Sequence, residues 1–419
     1  MRIIITGTNY KNKGAQSMLF TAVNEMRKNF PACEIFFTTS ETIDCSEIKM
    51  QTIFYTAEIQ KLLLKELGMI RFAKKSIKQA AKFVLGRSKK FWYKGYADSL
   101  KKILSSADMI IDASGFALGD KWTASGIESY LDHIRLAKKF NIPIYIMPQS
   151  FGPFDFSDWD ENEKNRLMDK IKETLQYPRI IFPREREGYE MLQEFGFKNL
   201  MLSTDTVLQS KGVDPENIFT SGYEMNIPEM LTENNVAVIP NSQCFRRVDK
   251  ETILSMYDSL IRILLEADKT VYVFRHSGED LDICKQIKAR FADENSVILW
   301  ENDFSCFEYD TLVKNFDFII CSRYHGIVHA FRNGVPAIAL GWAIKYKELL
   351  HNVGQDRYEF DITSEDFDVH AVEAMLREML ARYEQESECI KAKVEKIQSE
   401  NCYDAVVKDF SALTKNKSK

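Results

Sequence analysis

The chain reads as an α/β protein with two Rossmann-like domains facing each other across a cleft. Three observations predict this. Short apolar runs alternate with amphipathic stretches of helical period, first in one half of the chain and again in the other, as in parallel sheets wrapped by helices. A length of 419 residues exceeds one ordinary core, so two domains are the default. The apolar runs also end repeatedly in Gly, Ser, Asn, Arg or His. These residue types suit the carboxyl edge of an open parallel sheet, where ligands bind.

In the first half, Ile3 to Gly7 reads as a strand and Ala15 to Asn29 as a helix, joined by a loop containing Asn9, Asn12 and Gly14. Strands follow at Glu34 to Thr38, Asp108 to Ala113, Pro143 to Met147, Ile180 to Phe182 and Asn199 to Leu202. Helices are expected at Ile127 to Phe140, Asp160 to Thr174 and Arg186 to Phe195. The stretch 58–105 has apolar residues at helical spacing and reads as two helices broken near Gly86. The first domain is therefore expected at 1–207. Gly212, Pro215, Gly222 and Pro228 mark 208–233 as the linker region. The second domain, 234–365, alternates strands at Val236 to Pro240, Thr270 to Phe274, Val297 to Trp300, Phe316 to Cys321 and Val335 to Leu340 with helices. Beyond it, 366–419 is a charged helical segment.

Net charge is −5, unevenly spread: Lys61 to Lys102 carries +11 and the remainder −16. A basic segment on an acidic body suggests an anionic surface such as phospholipid or a lipid diphosphate. No nucleic-acid motif accompanies it. The eight cysteines have no metal spacing and read as free thiols. Met1-Arg2 leads straight into a strand, and no apolar run is long enough to cross a bilayer. The expected location is the cytoplasm, at the inner face of the plasma membrane. A carboxylate cluster with metal spacing is missing, so no metal is expected.

The most informative stretch is Phe316 to Leu340, a β-α-β unit whose first strand ends in Ser322-Arg323-Tyr324-His325-Gly326. A cation and an imidazole at a helix N-terminus suggest an anionic ligand and a proton transfer. His325 beside Arg323 is the candidate acid or base. Arg184, after Ile180-Ile181-Phe182-Pro183, has two readings: an ion pair with Glu185 or Glu187 at a helix start, or a second guanidinium that grips a carboxylate or phosphate together with Arg323. His276 is either a phosphate contact or a solvated loop residue. His329 reads as a capping histidine, and His133 and His351 as structural. Asp120 could orient a sugar hydroxyl or cap a helix, and Asp205 could shape the cleft. Tyr324, Gly326, Asn9, Asn12, Gly14, Gln149 and Ser150 complete the expected ligand contacts. Gly7 and Gly14 match neither the dinucleotide fingerprint nor a P-loop.

In this order, these residues resemble the polysaccharide pyruvyl transferase family over about 1–354. The likeness rests on the Gly7 to Gly14 loop, Gly115 to Asp120, Ile142-Pro143 to Gly152-Pro153, Pro183-Arg184-Glu185, Asp205, Ser322 to Gly326, and Gly334-Val335-Pro336. It implies a GT-B-like fold and transfer of the enolpyruvyl carbons of phosphoenolpyruvate onto two hydroxyls of a saccharide, as a ketal. Phosphoenolpyruvate would be a co-substrate, with no cofactor. Arg323, His325 and Arg184 would hold it, with a protonated His325 as acid; the acceptor is a saccharide, and a lipid-linked oligosaccharide, a nucleotide sugar and a finished polymer all stay open as its form. The chain departs from many relatives at Ala113-Ser114-Gly115-Phe116, where they carry a glycine run, and in the basic segment 61–102. Two other readings stay open. One is a GT-B glycosyltransferase using a nucleotide sugar, with Arg275 and Arg323 on the diphosphate and His325 as base. The other is a membrane-associated scaffold without activity.

Overall fold

In a computed structural model, the protein is described over residues 1–69, 87–156, 159–229 and 233–417. The first sheet contains β1 (Arg2–Thr6), β2 (Glu34–Thr39), β3 (Gln51–Phe54), β4 (Met109–Asp112), β5 (Phe116–Leu118), β6 (Ile144–Phe151) and β7 (Ile180–Pro183). Their order is β3-β2-β1-β4-β6-β5, with β7 also paired to β6. The second sheet contains β8 (Asn235–Ile239), β9 (Thr270–Phe274), β10 (Val297–Trp300), β11 (Phe318–Cys321), β12 (Ala337–Gly341) and β13 (Glu359–Asp361), in the order β10-β9-β8-β11-β12-β13. Every named pairing is parallel. Parallel neighbours require helical crossovers that cover both faces, so the central strands are apolar on both sides. Ile3, Ile4 and Ile5 accordingly sit between Ile35–Phe37 and Met109–Ile111, all buried.

Each sheet has a switch point where the strand order reverses, between β1 and β4 in the first and between β8 and β11 in the second. Open α/β sheets bind ligands outside the carboxyl ends of the strands at such points.

The expected strand at Asn199 to Leu202 shrinks to one bridge between Leu200 and Ile181. Short strands β3, β5 and β13 stand where none was expected. In the linker region, Ile218 is buried and Phe219 bridges Ile48 of the first domain. The C-terminal segment divides. Helix Val369–Gln398 buries Val372, Leu376, Met379 and Ile390 in the second domain's core. Helix Cys402–Lys417 returns to the first domain, where Tyr403, Val406 and Phe410 join its core and Asp409 accepts from the Tyr145 hydroxyl at 2.7 Å.

Within the basic segment, helices Ala57–Glu66 and Arg87–Leu104 pack together through Leu63, Leu64, Ala97 and Leu100. The expected break near Gly86 lies outside the described residues. No described helix is long and apolar enough to cross a membrane. All eight cysteines are unpaired.

Candidate active site

The site begins where β11 stops. The Ser322 carbonyl accepts from Asn241 at 2.8 Å and from the Tyr346 hydroxyl at 2.9 Å, which fixes the strand end at the switch point. Arg323 then starts the helix Tyr324–Arg332. Its side chain is clamped by Asp280, through Nε at 2.8 Å and Nη2 at 2.5 Å, and by Glu279 at 2.7 Å. Asp280 is fully buried and is itself held by the Ser242 amide at 2.9 Å. Among the described residues, none accepts from Arg323 Nη1. Gly326 was expected to contact ligand, but close packing explains it better. A Cβ there would lie 2.8 Å from Cys321 Sγ and 2.9 Å from the Tyr309 hydroxyl.

Tyr324 and His325 face the first domain. The His325 ring lies on the first turn of helix Lys13–Asn29, so close that a Cβ on Gly14 would sit 2.4 Å from Nδ1. Its Nε2 is 3.6 Å from Asp205 Oδ2, too long for a hydrogen bond. Arg184, at the end of β7, donates to Glu185 (3.1 Å), Asp205 (3.0 Å), the Gly115 carbonyl (3.1 Å) and Ser150 (2.7 Å). Its guanidinium also stands 4.5 Å from the centre of the Tyr324 ring, a cation–π contact between domains. Lys345 Nζ is 5.2 Å from the same ring.

Lys345 and Arg184 thus share the Tyr324 ring. Burial lowers the Lys345 ammonium to about 8, with Arg184 and Arg323 adding to the lowering and Glu185 and Asp205 pulling the other way. Asp205 is pushed up by burial, but His325, Arg184 and the Val207 amide outweigh this and hold it below the usual carboxylate range. The imidazoles behave differently. Burial lowers His325 to about 4, reinforced by Arg184, His329 and Lys345, although Asp205 pulls the other way. Burial, with Lys13 and His329 adding, drives His276 well below its ordinary value, and its Nε2 has no partner. This corrects the expectation of a protonated His325. In this arrangement the ring is neutral at neutral pH, because desolvation and surrounding cations outweigh one carboxylate.

Between pH 6.5 and about 4 the folded protein binds fewer protons at His325 than the unfolded chain does. Stability is full above pH 6.5 and falls as pH drops towards 4, by about 3 kcal/mol for this one ring. His133, His276 and His329, also lowered by burial, act in the same direction. Denaturation midpoints measured across this window should fall steeply, and His325→Asn should flatten part of the slope.

The structure distributes the remaining candidates. Asn9 Oδ1 accepts from the Lys11 and Asn12 amides at 2.8 and 2.9 Å, and Asn12 caps the helix by accepting from Ala15 at 3.2 Å. Both asparagines build a loop that lines an interdomain cavity of about 620 Å³, opposite Ser277–Glu279 and Asp303–Phe304. Lys13 crosses between the domains to Asp303 at 2.5 Å. Ser150 joins the Arg184 network. The Gln149 side chain does not, since its amide donates to the Tyr130 hydroxyl at 2.8 Å, while the Gln149 backbone carbonyl accepts from the Arg184 backbone amide at 3.0 Å. Asp120 stays in the turn after β5, its amide bonded to the Pro153 carbonyl at 2.8 Å. His329 is more than a cap. It contacts Ser17 of the first domain through Nε2 at 2.8 Å and Asp310 through Nδ1 at 2.9 Å.

Sequence reasoning missed Asp280, Lys345 and Lys13. Asp280 and Lys345 each follow a strand end by a few residues, so proximity to the carboxyl edge was the available signal. Gly14→Ala tests the His325 placement. Helix propensity alone would favour alanine by about 1 kcal/mol, whereas the clash predicts a lower melting temperature and weaker turnover.

No curated protein matches the chain. Solved structures with similar folds include S. aureus MnaA with UDP (TM-score 0.53, 11% identity, covering 93% of this chain and 91% of that one). A UDP-N-acetylglucosamine 2-epimerase matches with TM-score 0.51 at 12% identity over 94% of each chain. The glycotransferase of kitacinnamycin matches with TM-score 0.50 at 10% identity over 95% of each. These likenesses show a two-domain GT-B-type fold and nothing about the reaction. The sequence itself says more: the model of one transferase family, polysaccharide pyruvyl transferase, matches residues 12–343, through the cleft-facing loop, Arg184 and Arg323 to His325. With most of its length matched, the chain belongs to the polysaccharide pyruvyl transferase family.

Proposed function

We propose that the protein transfers the enolpyruvyl group of phosphoenolpyruvate onto two hydroxyls of a cell-surface saccharide or its precursor, forming a cyclic ketal and releasing phosphate. The supporting observation is a focus of cationic side chains at the Tyr324 ring, where Arg184 of the first domain stands 4.5 Å and Lys345 of the second 5.2 Å from the ring centre, with Arg323 and His325 on either side of Tyr324 in the chain. Such a focus suits a small polyanion bearing a carboxylate and a phosphate.

The chemistry then follows. Burial is the main cause that keeps His325 neutral, with nearby cations adding to it; a bound anion beside the ring offsets both by favouring the imidazolium, and the ring takes up a proton. Delivery of that proton to the methylene carbon gives a methyl group and a cation at the adjacent carbon. One acceptor hydroxyl adds there and loses its proton. The bond to the bridging oxygen breaks, phosphate leaves with the electron pair, and the second hydroxyl closes the ketal. Of the two hydroxyl protons released, one replaces that used at carbon and the other leaves on phosphate. Arg323 and Lys345 stabilise the departing phosphate. Closed domains exclude water, which would otherwise trap the cation.

Lys94, Lys101 and Lys102 are exposed on the basic helices. They favour a lipid-linked acceptor presented at an anionic membrane, testable by co-sedimentation with anionic vesicles. Phosphate release from phosphoenolpyruvate should depend on added acceptor and should fall at least about 10²-fold in Arg323→Ala. Stabilisation by UDP but not by phosphoenolpyruvate would contradict the proposal and favour a nucleotide-sugar donor.

A further inference from the structure

The first domain has its own switch point, and a different kind of cavity sits there. It has a volume of about 320 Å³ and opens at the carboxyl ends of β1, β2 and β4, against the helix Ala124–Lys139. That size is at the small end of ligand pockets. It holds one ring more readily than a nucleotide sugar.

The lining is made almost wholly of hydroxyls, including Thr8, Thr38, Ser129 and Tyr130. Its floor requires glycine. Gly7 has φ +76°, and a Cβ there would lie 2.0 Å from Ser114 Oγ and 2.6 Å from Asp112 Oδ1. Among the described residues of the lining, Asp112 is the one acidic or basic residue apart from His133. It is 1% exposed and accepts from the Ser114 and Tyr130 hydroxyls, each at 2.6 Å. Gln149 backs this chain through the Tyr130 hydroxyl. The second wall comes from His133, whose Nε2 meets Thr6 Oγ1 at 3.0 Å.

Polar capacity is left over. Among the described residues, Thr8 Oγ1 is buried with no hydrogen-bond partner, and the Tyr55 hydroxyl beside the Gln60 side chain has none within hydrogen-bond geometry. Buried hydroxyls without partners are costly, so a ligand that supplies partners gains from them.

We infer that this cavity is a subsite for a single neutral pyranose, read by the unpartnered Thr8 hydroxyl and by the oxygens of Ser129 and Tyr130, which serve as acceptors because Ser129 donates to Gln60 Oε1 and Tyr130 to Asp112, both at 2.6 Å. The buried Asp112 carboxylate, with no cation in the lining, repels uronates and phosphorylated sugars. The inference rests on the proposed pyruvyl transfer for its purpose, since it would hold the acceptor ring, but not for its test.

Saturation-transfer NMR on the full chain tests it, with methyl β-D-galactopyranoside, methyl β-D-glucopyranoside and methyl α-D-mannopyranoside as neutral probes and glucuronate as the anionic one. At least one neutral ring should receive saturation, and glucuronate none. Thr8→Phe fills the cavity and should weaken the signal on the order of ten-fold or more. Thr8→Val removes only the unpartnered hydroxyl at nearly constant shape and should weaken it several-fold. A melting transition like that of the parent shows that each variant is folded. Absence of transfer to every neutral ring, an unchanged signal in folded Thr8→Phe, or equal transfer to glucuronate overturns the inference. None of these readouts needs phosphoenolpyruvate. Sugar binding without acceptor-dependent phosphate release would therefore sink the donor reading alone, and phosphate release with an unchanged Thr8→Phe signal would sink this one alone.

Discussion

Replacing Arg184 with alanine should destabilise the protein by about 3–5 kcal/mol, the usual cost of leaving a buried charge without its partner. The guanidinium is 4% exposed, and it satisfies Asp205, which is fully buried, and Glu185, which is 4% exposed. Truncation strands both carboxylates and removes the cation over Tyr324, a contact that holds the two domains together. Arg184→Lys should recover only part of the loss. One ammonium cannot repeat a planar fork that reaches two carboxylates, a hydroxyl and a carbonyl. Chemical denaturation of the three proteins reads this directly. A loss below about 1 kcal/mol for alanine would place Arg184 among solvent-screened ion pairs and remove the structural half of the site.

His325→Asn should have the opposite profile. No hydrogen bond at Nε2 is lost, since that atom has no partner among the described residues. Acceptor-dependent phosphate release should fall about 10²–10⁴-fold, the range expected for a lost general acid. Stabilisation by phosphoenolpyruvate should persist. The decisive readout is the proton. His325 lies near 4 in the empty protein, so binding of phosphoenolpyruvate near neutral pH should draw in a proton. Calorimetry in buffers of different ionisation enthalpy would show that uptake in the parent and its loss in the variant. Equal proton uptake in both proteins would assign the acid elsewhere.

The parts of this site that depend on one element's own sequence were legible before folding. The abrupt stop of Phe316–Cys321 at Ser322-Arg323 marked a carboxyl edge, and Arg184 after an apolar run did the same. Gly14 could be noticed, but its reason could not, because the ring that excludes a side chain comes from the other domain. Cross-domain pairing also hid Lys345, which lies on an ordinary amphipathic helix in sequence. His325 was read with the wrong charge for a physical reason: its pKa reflects burial by surroundings that sequence spacing does not reveal. His133 looked structural because its helix is amphipathic, yet its ring faces a sheet edge and a polar cavity. The strands that escaped notice, β3, β5 and β13, have three or four residues each, too short for a period to show. The C-terminal segment reads as one charged helix, whereas a break at Ser399–Asn401 sends its last helix back to the first domain.

The proposed transfer requires both domains to hold one small anion with an imidazole beside it. A crystal structure of the protein with phosphoenolpyruvate bound tests it most directly. The ligand should lie between the domains, its phosphate or carboxylate within hydrogen-bond distance of Lys345 and Arg323, and its methylene carbon facing His325. Phosphoenolpyruvate bound wholly within one domain, out of reach of His325, would contradict it.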